Sequence, residues 1–198
     1  MKKTAAAILA LFLAVSIAAA CAEGGTFELV LDDFSLMLEE GTLYVKNEKT
    51  DDAVICMIYP LSPRNPESTE SITIVWEAPD GNEREVTEDD LNEIADGYLL
   101  GYRETLESQY GSGFLADLTV IDRGTCEIGG RTACYFLFSS TLDMGVLGEE
   151  YKGISLTGYQ EAVMTGGEAG YYCFILTGDS EEVITKDMRP VLDTLRWK

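Results

Sequence analysis

Apolar and polar positions follow strand-like patterns through the first half of the chain. Residues 71–76 alternate, with Ile72, Ile74 and Trp76 on one side of the chain and Thr73 on the other, which is typical of a half-buried strand. A nearly continuous apolar run ends at Pro60 and predicts a strand buried on both faces. The strands predicted in this half cover 26–31, 42–45, 53–59 and 71–76, and the Pro- and Asn-containing stretches 61–70 and 79–82 are predicted loops.

The spacing changes to a helical period after residue 87. Apolar side chains recur every three or four residues, and Gly111-Ser112-Gly113 supplies a stop. Thr87 and Asp90 stand at capping-box spacing, so we predict a helix from Thr87 to about Tyr110. Gly97 and Gly101 favour close approach of a neighbouring backbone, with a hinge as the alternative. The predicted buried stripe is Leu91, Ile94, Ala95, Tyr98, Tyr102, Leu106 and Tyr110.

Strand-like segments return after this helix, and a second helix closes the chain. The later predicted strands are 117–122, 125–128, 131–140, 154–164 and 170–178. Gly129-Gly130 and Gly166-Gly167 are predicted two-residue hairpin loops. Pro190 predicts a break near Arg189 and a new first helical turn. The expected fold class is α+β: an antiparallel sheet flanked by helices, as an α/β/α sandwich formed by a single domain over 26–198.

This order of elements resembles the PsbP-like superfamily, which includes the bacterial DcrB-like lipoproteins. The motifs that carry the resemblance are Ile128-Gly129-Gly130-Arg131-Thr132-Ala133 and Pro190-Val191-Leu192-Asp193-Thr194-Leu195 in the last helix. The resemblance covers roughly residues 26–198 in topology. It implies an antiparallel sheet with helices packed on it, and a role in binding or assembly rather than catalysis.

The N-terminus has the pattern of an export signal. Lys2 and Lys3 precede an apolar or small run from Ala5 to Ala20, too short for a permanent span. Ala18-Ala19-Ala20-Cys21 resembles the lipobox of bacterial lipoproteins, in which the cysteine becomes the lipidated first residue, so lipidation is predicted at Cys21. We therefore expect a signal peptide at 1–20, a lipid-anchor leash at 21–25 and an extracytoplasmic, membrane-bound domain. Cleavage after Ala20 by the ordinary signal peptidase, giving a secreted protein, is the alternative.

Composition excludes several classes of function. The 198 residues include 35 acidic and 14 basic side chains and no histidine, for a formal net charge of -21. Without histidine there is no Ser-His-Asp or Cys-His pair and no His-ligated zinc. The negative charge repels phosphate backbones, so no nucleic-acid partner is expected. The expected partners are the cell membrane, through the N-terminal lipid, and an envelope protein.

Carboxylates are the remaining candidates for chemistry. Adjacent acidic pairs occur at 32–33, 39–40, 51–52 and 149–150. Neighbouring residues of a strand point to opposite faces, so these pairs favour solvated turns over a glycosidase acid and nucleophile. Calcium binding at 80–83 and 88–90 is a second alternative, although EF-hand spacing is missing. We predict no catalytic residue, no metal ligand and no cofactor, and a non-enzymatic protein.

Four cysteines remain once Cys21 is set aside as an anchor, namely Cys56, Cys126, Cys134 and Cys173. An exported chain can keep disulfides, and four cysteines allow three full pairings that the sequence does not distinguish. A bridge between Cys126 and Cys134 is disfavoured, because the Gly129-Gly130 turn places them on opposite faces of the hairpin. Three of the four lie in apolar strands, where a free cysteine packs as a small hydrophobe.

Aromatic residues are concentrated in two of the predicted strands, at 135–138 and 171–174. Most are expected in the core, and an outward-facing tyrosine contact surface is the alternative. The favoured function is a membrane-anchored module that binds, or helps assemble, another envelope component. The alternatives are a small exported enzyme that uses carboxylates, and a secreted structural or stress protein with no specific ligand.

Overall fold

A seven-stranded antiparallel sheet forms the centre of the protein. The computed structural model describes residues 25–48, 53–59, 70–78, 87, 90–167 and 170–198. The sheet has the order β3-β4-β5-β9-β8-β7-β6. Its strands are β3 (Tyr44–Lys46), β4 (Ala53–Ile58), β5 (Ser71–Glu77), β6 (Leu115–Ile128), β7 (Arg131–Asp143), β8 (Ser155–Gly167) and β9 (Gly170–Gly178).

Helix α1 (Leu91–Tyr110) covers one face of this sheet. The Asp90 carboxylate accepts hydrogen bonds from the amide and hydroxyl of Thr87, which is the reciprocal half of the predicted capping box. The predicted stripe is buried at its centre, and Tyr102 donates or accepts a hydrogen bond with Ser140 at 3.1 Å. Tyr110 was predicted as the last buried residue of this stripe, but it is 40% exposed at the final position of the helix.

A second, three-stranded sheet and the C-terminal helix cover the opposite face. The small sheet has the order β1-β2-β10, from strands β1 (Thr26–Val30), β2 (Phe34–Glu39) and β10 (Arg196–Trp197). Its apolar residues form one continuous core with the large sheet, including Phe34, Leu36 and Leu38. The predicted α+β fold with helices on both faces is confirmed. The small sheet was not predicted, since β10 is two residues long and its partner lies far away in sequence.

The two predicted glycine turns have different outcomes. Gly129 and Gly130 form the turn between β6 and β7, with φ angles of 57° and 82° that suit glycine. The prediction for Gly166-Gly167 is wrong, because both residues are paired within the β8–β9 ladder, opposite Tyr171 and Gly170. The ladder continues to the pair of Gly167 with Gly170, so the two glycines end strand β8 and the reversal follows them.

The C-terminal helix changes its geometry where proline predicts a break. A π-helical segment, Val183–Met188, passes directly into the short helix α2 (Arg189–Leu192), and Pro190 occupies the first turn of α2. Ile184, Met188 and Leu192 are buried against the large sheet. The helical backbone therefore passes through Arg189 without the predicted break, and only the winding changes there, from π-helical to α-helical.

Several predicted features lie outside the described residues. These are the signal peptide, Cys21, most of the leash, the loop at 61–69, the turn at 79–82 and the calcium candidate at 80–83. The described domain begins at Gly25, whose carbonyl accepts a hydrogen bond from the Glu40 amide at 2.9 Å. In the described part of the chain, no helix is long and apolar enough to span a membrane.

Candidate interaction surface

The acidic pairs predicted from the sequence do not converge on one site. Residues 32–33 lie in the turn between β1 and β2, residues 39–40 at the end of β2, and residues 149–150 in a 3-10 turn after β7. The pair at 51–52 lies outside the described residues. Among the residues that the structure describes, no group of three or more Cys, Asp or Glu side chains could hold a metal ion.

The four cysteines of the domain are free thiols. Cys126 is paired with Ala133 and Cys134 with Thr125, which confirms that the hairpin directs the two thiols to opposite faces. Burial raises the pKa of Cys56 to about 12 and that of Cys134 to about 11. These thiols therefore stay protonated and unreactive at neutral pH, and they pack as small apolar groups.

Aromatic residues of β7 and β9 belong mainly to the core. Phe136 and Phe138 are buried under α1, whereas Tyr172 and Phe174 are buried under the small sheet. Tyr135 and Tyr171 are half-buried and lie on different strands. The packing interpretation is therefore confirmed for this set, and these tyrosines do not form the alternative contact face.

A polar cluster on the C-terminal-helix face links β6, β7, β8 and α2. Arg189 binds both carboxylate oxygens of Glu161, with Nε donating to Oε2 at 3.1 Å. The Arg189 guanidinium also lies over the ring of Tyr135, 4.8 Å from its centre. The Tyr135 hydroxyl in turn donates to the Asp122 carboxylate at 3.0 Å. This chain of contacts connects the core to the outer strand of the sheet.

The cluster contains one carboxylate without access to solvent. Glu161 is 0% exposed, and burial raises its pKa above the ordinary value, while the two hydrogen bonds from Arg189 act in the opposite direction. The adjacent carboxylate raises the pKa of the Arg189 guanidinium. Because both oxygens of Glu161 are engaged and covered, a substrate cannot reach them, and the arrangement fixes α2 to the sheet.

Strand β6 is the exposed edge of the large sheet. It is 14 residues long and pairs with β7 on one side, and none of the strands that the structure describes pairs with its other side. Most of its residues from Ala116 to Arg123 are exposed, including Val120 and Ile121 at 39% each. Such an edge presents backbone donors and acceptors to which another extended chain can be added.

Three features of β6 oppose pairing with a second copy of the same strand. Register shifts occur between Leu115 and Asp117 and between Val120 and Asp122, and bulges of this kind twist an edge. The Asp122 carboxylate accepts a hydrogen bond from the Arg123 amide at 2.9 Å, which occupies one donor of the strand. Asp117, Asp122 and Glu127 also give the strand three acidic side chains against a single arginine, so two copies repel each other.

A group of exposed apolar side chains lies at the end of the sheet where β6 and β8 begin and β7 ends. We call this group the open end. Its members are 40–52% exposed, and the Cγ1 atom of Val146 lies beside Gly111, directly after α1. Exposed apolar residues gathered at one end of a sheet are a candidate interaction surface. The open end consists of Tyr110, Val146, Leu147, Tyr151, Ile154 and Leu156.

Sequence patterns missed both surfaces. An edge strand and an inner strand have similar apolar patterns, so the position of β6 depends on the complete strand order. Val146, Leu147 and Tyr151 lie in two short 3-10 turns, where helical and strand periods give no burial signal. The clustering of apolar residues at 144–156 between two strands was the available hint.

Comparison with known proteins shows similarity to solved structures and no sequence relationship. The chain is similar in fold to cyanobacterial PsbP (CyanoP) from Synechocystis sp. PCC 6803, whose solution structure it matches with a TM-score of 0.57. The match covers 90% of this chain and 98% of that chain, at 12% sequence identity. No protein-family model matches the sequence, and no curated protein matches it significantly. The chain therefore has a PsbP-like fold, and at this identity the likeness concerns the fold alone.

Proposed function

We propose that this chain is a lipid-anchored, extracytoplasmic and non-enzymatic protein that binds, or helps assemble, another protein of the bacterial envelope. The lipobox-like Ala18-Ala19-Ala20-Cys21 supports the anchor, and the resemblance to DcrB-like lipoproteins supports the class. The single observation that carries the binding role is the long exposed edge of β6. The partner adds an extended segment to this edge.

Charge defines the chemistry of that partner. Removal of the first 20 residues would leave 12 basic and 35 acidic side chains, and β6 itself carries three carboxylates. An extended segment with lysine or arginine residues is attracted to this surface, whereas nucleic acid and a second copy are repelled. Val120 and Ile121 supply apolar contact at the centre of the edge.

The enzymatic alternative has weaker support. Glu161 is the fully buried carboxylate of the described chain, and both of its oxygens are bound to Arg189. The acidic pairs that the structure describes lie apart, in two turns and at the end of β2, so they do not form an acid and a nucleophile on facing positions. A carboxylate enzyme requires two accessible groups that converge, and the described residues do not supply them.

The anchor is tested by the mass of the protein expressed with its own signal in a bacterial host. We expect acyl mass and partition into detergent for the native chain, and neither for Cys21→Ala. Equal, unacylated and soluble products from both genes would show that Cys21 is not lipidated.

The binding edge is tested by photo-crosslinking in intact cells from single positions. We expect Thr119 and Ile121 on β6 to give the same protein adduct, and Glu107 on the exposed side of α1 to give none. The double variant Asp117→Lys/Glu127→Lys should weaken this adduct. The matched control Glu104→Lys/Glu107→Lys, with the same change of charge on α1, should leave it intact. Equal adducts from β6 and α1, or equal loss in both double variants, would contradict the proposal.

A further inference from the structure

The open end shares its end of the sheet with the point where the N-terminal segment joins the domain. In an antiparallel sheet the strands begin and end alternately, so the starts of β3, β5, β8 and β6 lie at one end with the finishes of β4, β9 and β7. The Leu43 carbonyl, just before β3, accepts a hydrogen bond from the Tyr59 amide at this end. Because Leu43 is thus at this end of the sheet, it can be used to locate Gly25, the first residue that the structure describes.

Gly25 lies close to this strand end. Its carbonyl is bonded to the Glu40 amide, and Glu40 precedes Leu43 by three residues, a span of at most about 10 Å. The rings of Phe27 in β1 and Tyr44 in β3 are also adjacent, with centroids 6.0 Å apart. The segment that contains Cys21 therefore enters the domain beside the end of the sheet that carries the open end.

Three strands project beyond the rest of the sheet at this end. Pairing of β8 with β7 begins at Ser155, whereas pairing of β8 with β9 begins only at Tyr159. The four residues between them carry β6, β7 and β8 about 13 Å past the end of β9. The exposed side chains of Ile154 and Leu156 lie on this projection, and the 3-10 turns with Val146, Leu147 and Tyr151 form its tip.

The length of the leash matches this projection. Four residue steps separate Cys21 from Gly25, which extend to at most about 14 Å. A lipid on Cys21 can therefore extend as far beyond the sheet as β7 and β8 do, since these strands project about 13 Å past the end of β9. Aliphatic side chains accompanied by Tyr110 and Tyr151 suit the boundary between lipid headgroups and acyl chains, where tyrosine keeps its hydroxyl hydrated.

We infer that the open end is a membrane-contact surface: Val146, Leu147, Tyr151, Ile154 and Leu156 enter the outer layer of the bilayer in which the Cys21 lipid is anchored. The inference rests on the anchor proposed above and adds a second contact, which fixes the orientation of the domain. Glu149 and Glu150 lie in the same tip, so contact with zwitterionic lipid is favoured over contact with anionic lipid. Strand β6 then begins near the membrane and runs away from it, so its free edge stays accessible to a protein partner.

The test uses the acylated full chain in phosphatidylcholine vesicles whose acyl chains carry bromine, a quencher of tryptophan fluorescence. Tyr151→Trp places the probe in the open end, and Thr125→Trp places the matched, exposed and uncharged control near the other end of β6. The native Trp76 and Trp197 contribute the same background to both variants. We expect severalfold stronger quenching of the Tyr151→Trp signal than of the Thr125→Trp signal, and a smaller difference when anionic lipid is added.

The outcomes separate this inference from the proposed anchor. Acylated protein that binds vesicles with equal quenching of the two probes would overturn the membrane-contact surface and leave the anchor intact. Protein without acyl mass that stays off the vesicles would overturn both. As a second measurement, the triple variant Val146→Ser/Ile154→Ser/Leu156→Ser should remain acylated and vesicle-bound but lose protection of residues 144–156 from water-soluble oxidants. Unchanged protection would contradict the inference.

Discussion

The two ends of the β6–β7 hairpin differ in what covers them. At the turn, Gly129 packs against Leu195 and against Trp197 of the C-terminal strand β10, and we call this the closed end. At the other end, β6 and β7 project past β9 with apolar side chains exposed in the open end. The closed end of this hairpin is therefore held by contacts within the protein. At the open end, the described residues leave the apolar side chains exposed to solvent.

The closed end is held by aromatic contacts between residues far apart in sequence. Trp197 packs edge-on against Phe34 and Tyr172, with centroids 5.2 Å away in both cases. Its indole Nε1 donates to the Ile128 carbonyl at 3.1 Å, and the Arg131 guanidinium lies 3.9 Å from the ring centre. Such a cluster buries apolar area and satisfies the polar atom of the indole together.

The comparison shows that the closed end contributes more to the stability of the fold than the open end does. Contacts at the closed end join β2, β9, β10 and the hairpin, so their loss disturbs several elements at once. Side chains of the open end contact solvent over two fifths or more of their surface, and their loss removes little buried area. We therefore expect changes at the closed end to affect folding, and changes at the open end to affect binding.

The largest effect is expected from the turn at the closed end. In Gly129→Ala the new methyl group would lie 2.8 Å from side-chain atoms of Leu195 and Trp197 and 2.9 Å from the Leu195 carbonyl oxygen. We expect a loss of about 4 kcal/mol in the free energy of unfolding, from steric overlap added to backbone strain. In the control Gly130→Ala the methyl group meets no atom within 4 Å, so strain alone should cost about 1 kcal/mol. Urea unfolding measures both, and equal losses would contradict the described packing.

A somewhat smaller effect is expected from the polar cluster, which lies midway along the β6–β7 hairpin. Arg189→Met leaves the buried Glu161 carboxylate unpaired, and we expect a loss of roughly 3 kcal/mol at pH 7, since the arginine is partly exposed. Burial alone then raises the Glu161 pKa further. Because the folded state of this variant binds the Glu161 proton more tightly than the unfolded state does, its free energy of unfolding rises as the pH falls. The loss of stability relative to the parent protein should therefore shrink towards pH 4.5. A deficit independent of pH in urea unfolding would argue against an unpaired carboxylate as its cause.

A third effect concerns alkaline pH. The Cys134 pKa is raised from 9.0 to about 11 in the folded protein. A raised thiol pKa means that the stabilising contribution is complete below pH 9 and is lost as pH rises through 11, by about 2.7 kcal/mol in total. Cys56 acts in the same direction. We expect unfolding free energies to fall between pH 9 and 11, and to fall less steeply in Cys134→Ala. The same slope in both proteins would assign the loss to other groups.

The smallest effect on stability is expected at the open end. Leu156→Ser and Ile154→Ser should each change the free energy of unfolding by less than about 0.5 kcal/mol, because both side chains are already largely exposed. A loss of several kcal/mol in thermal or urea unfolding would show that the open end belongs to the core. The comparison between the two ends would then fail.

Sequence patterns predicted the local structure well, but they did not predict which elements pack against each other. The stripe of α1, the Gly129-Gly130 turn and the position of Pro190 in a first helical turn were predictable, since each depends on neighbours within one helical turn or hairpin. The small sheet was not, because Trp197 meets Phe34 across nearly the whole chain. The pairing of Glu161 with Arg189 and the edge position of β6 also depend on the order of the strands in the sheet. The spacing of apolar residues along the sequence does not reveal that order.

The contrast between the ends is tested most directly by hydrogen exchange of the acylated protein, compared between detergent and phosphatidylcholine vesicles. We predict that the vesicles slow amide exchange across residues 144–156 and leave residues 126–133 unchanged, because the open end meets the bilayer and the closed end is already covered. No slowing at 144–156, or equal slowing at both ends, would contradict the assignment of membrane contact to the open end.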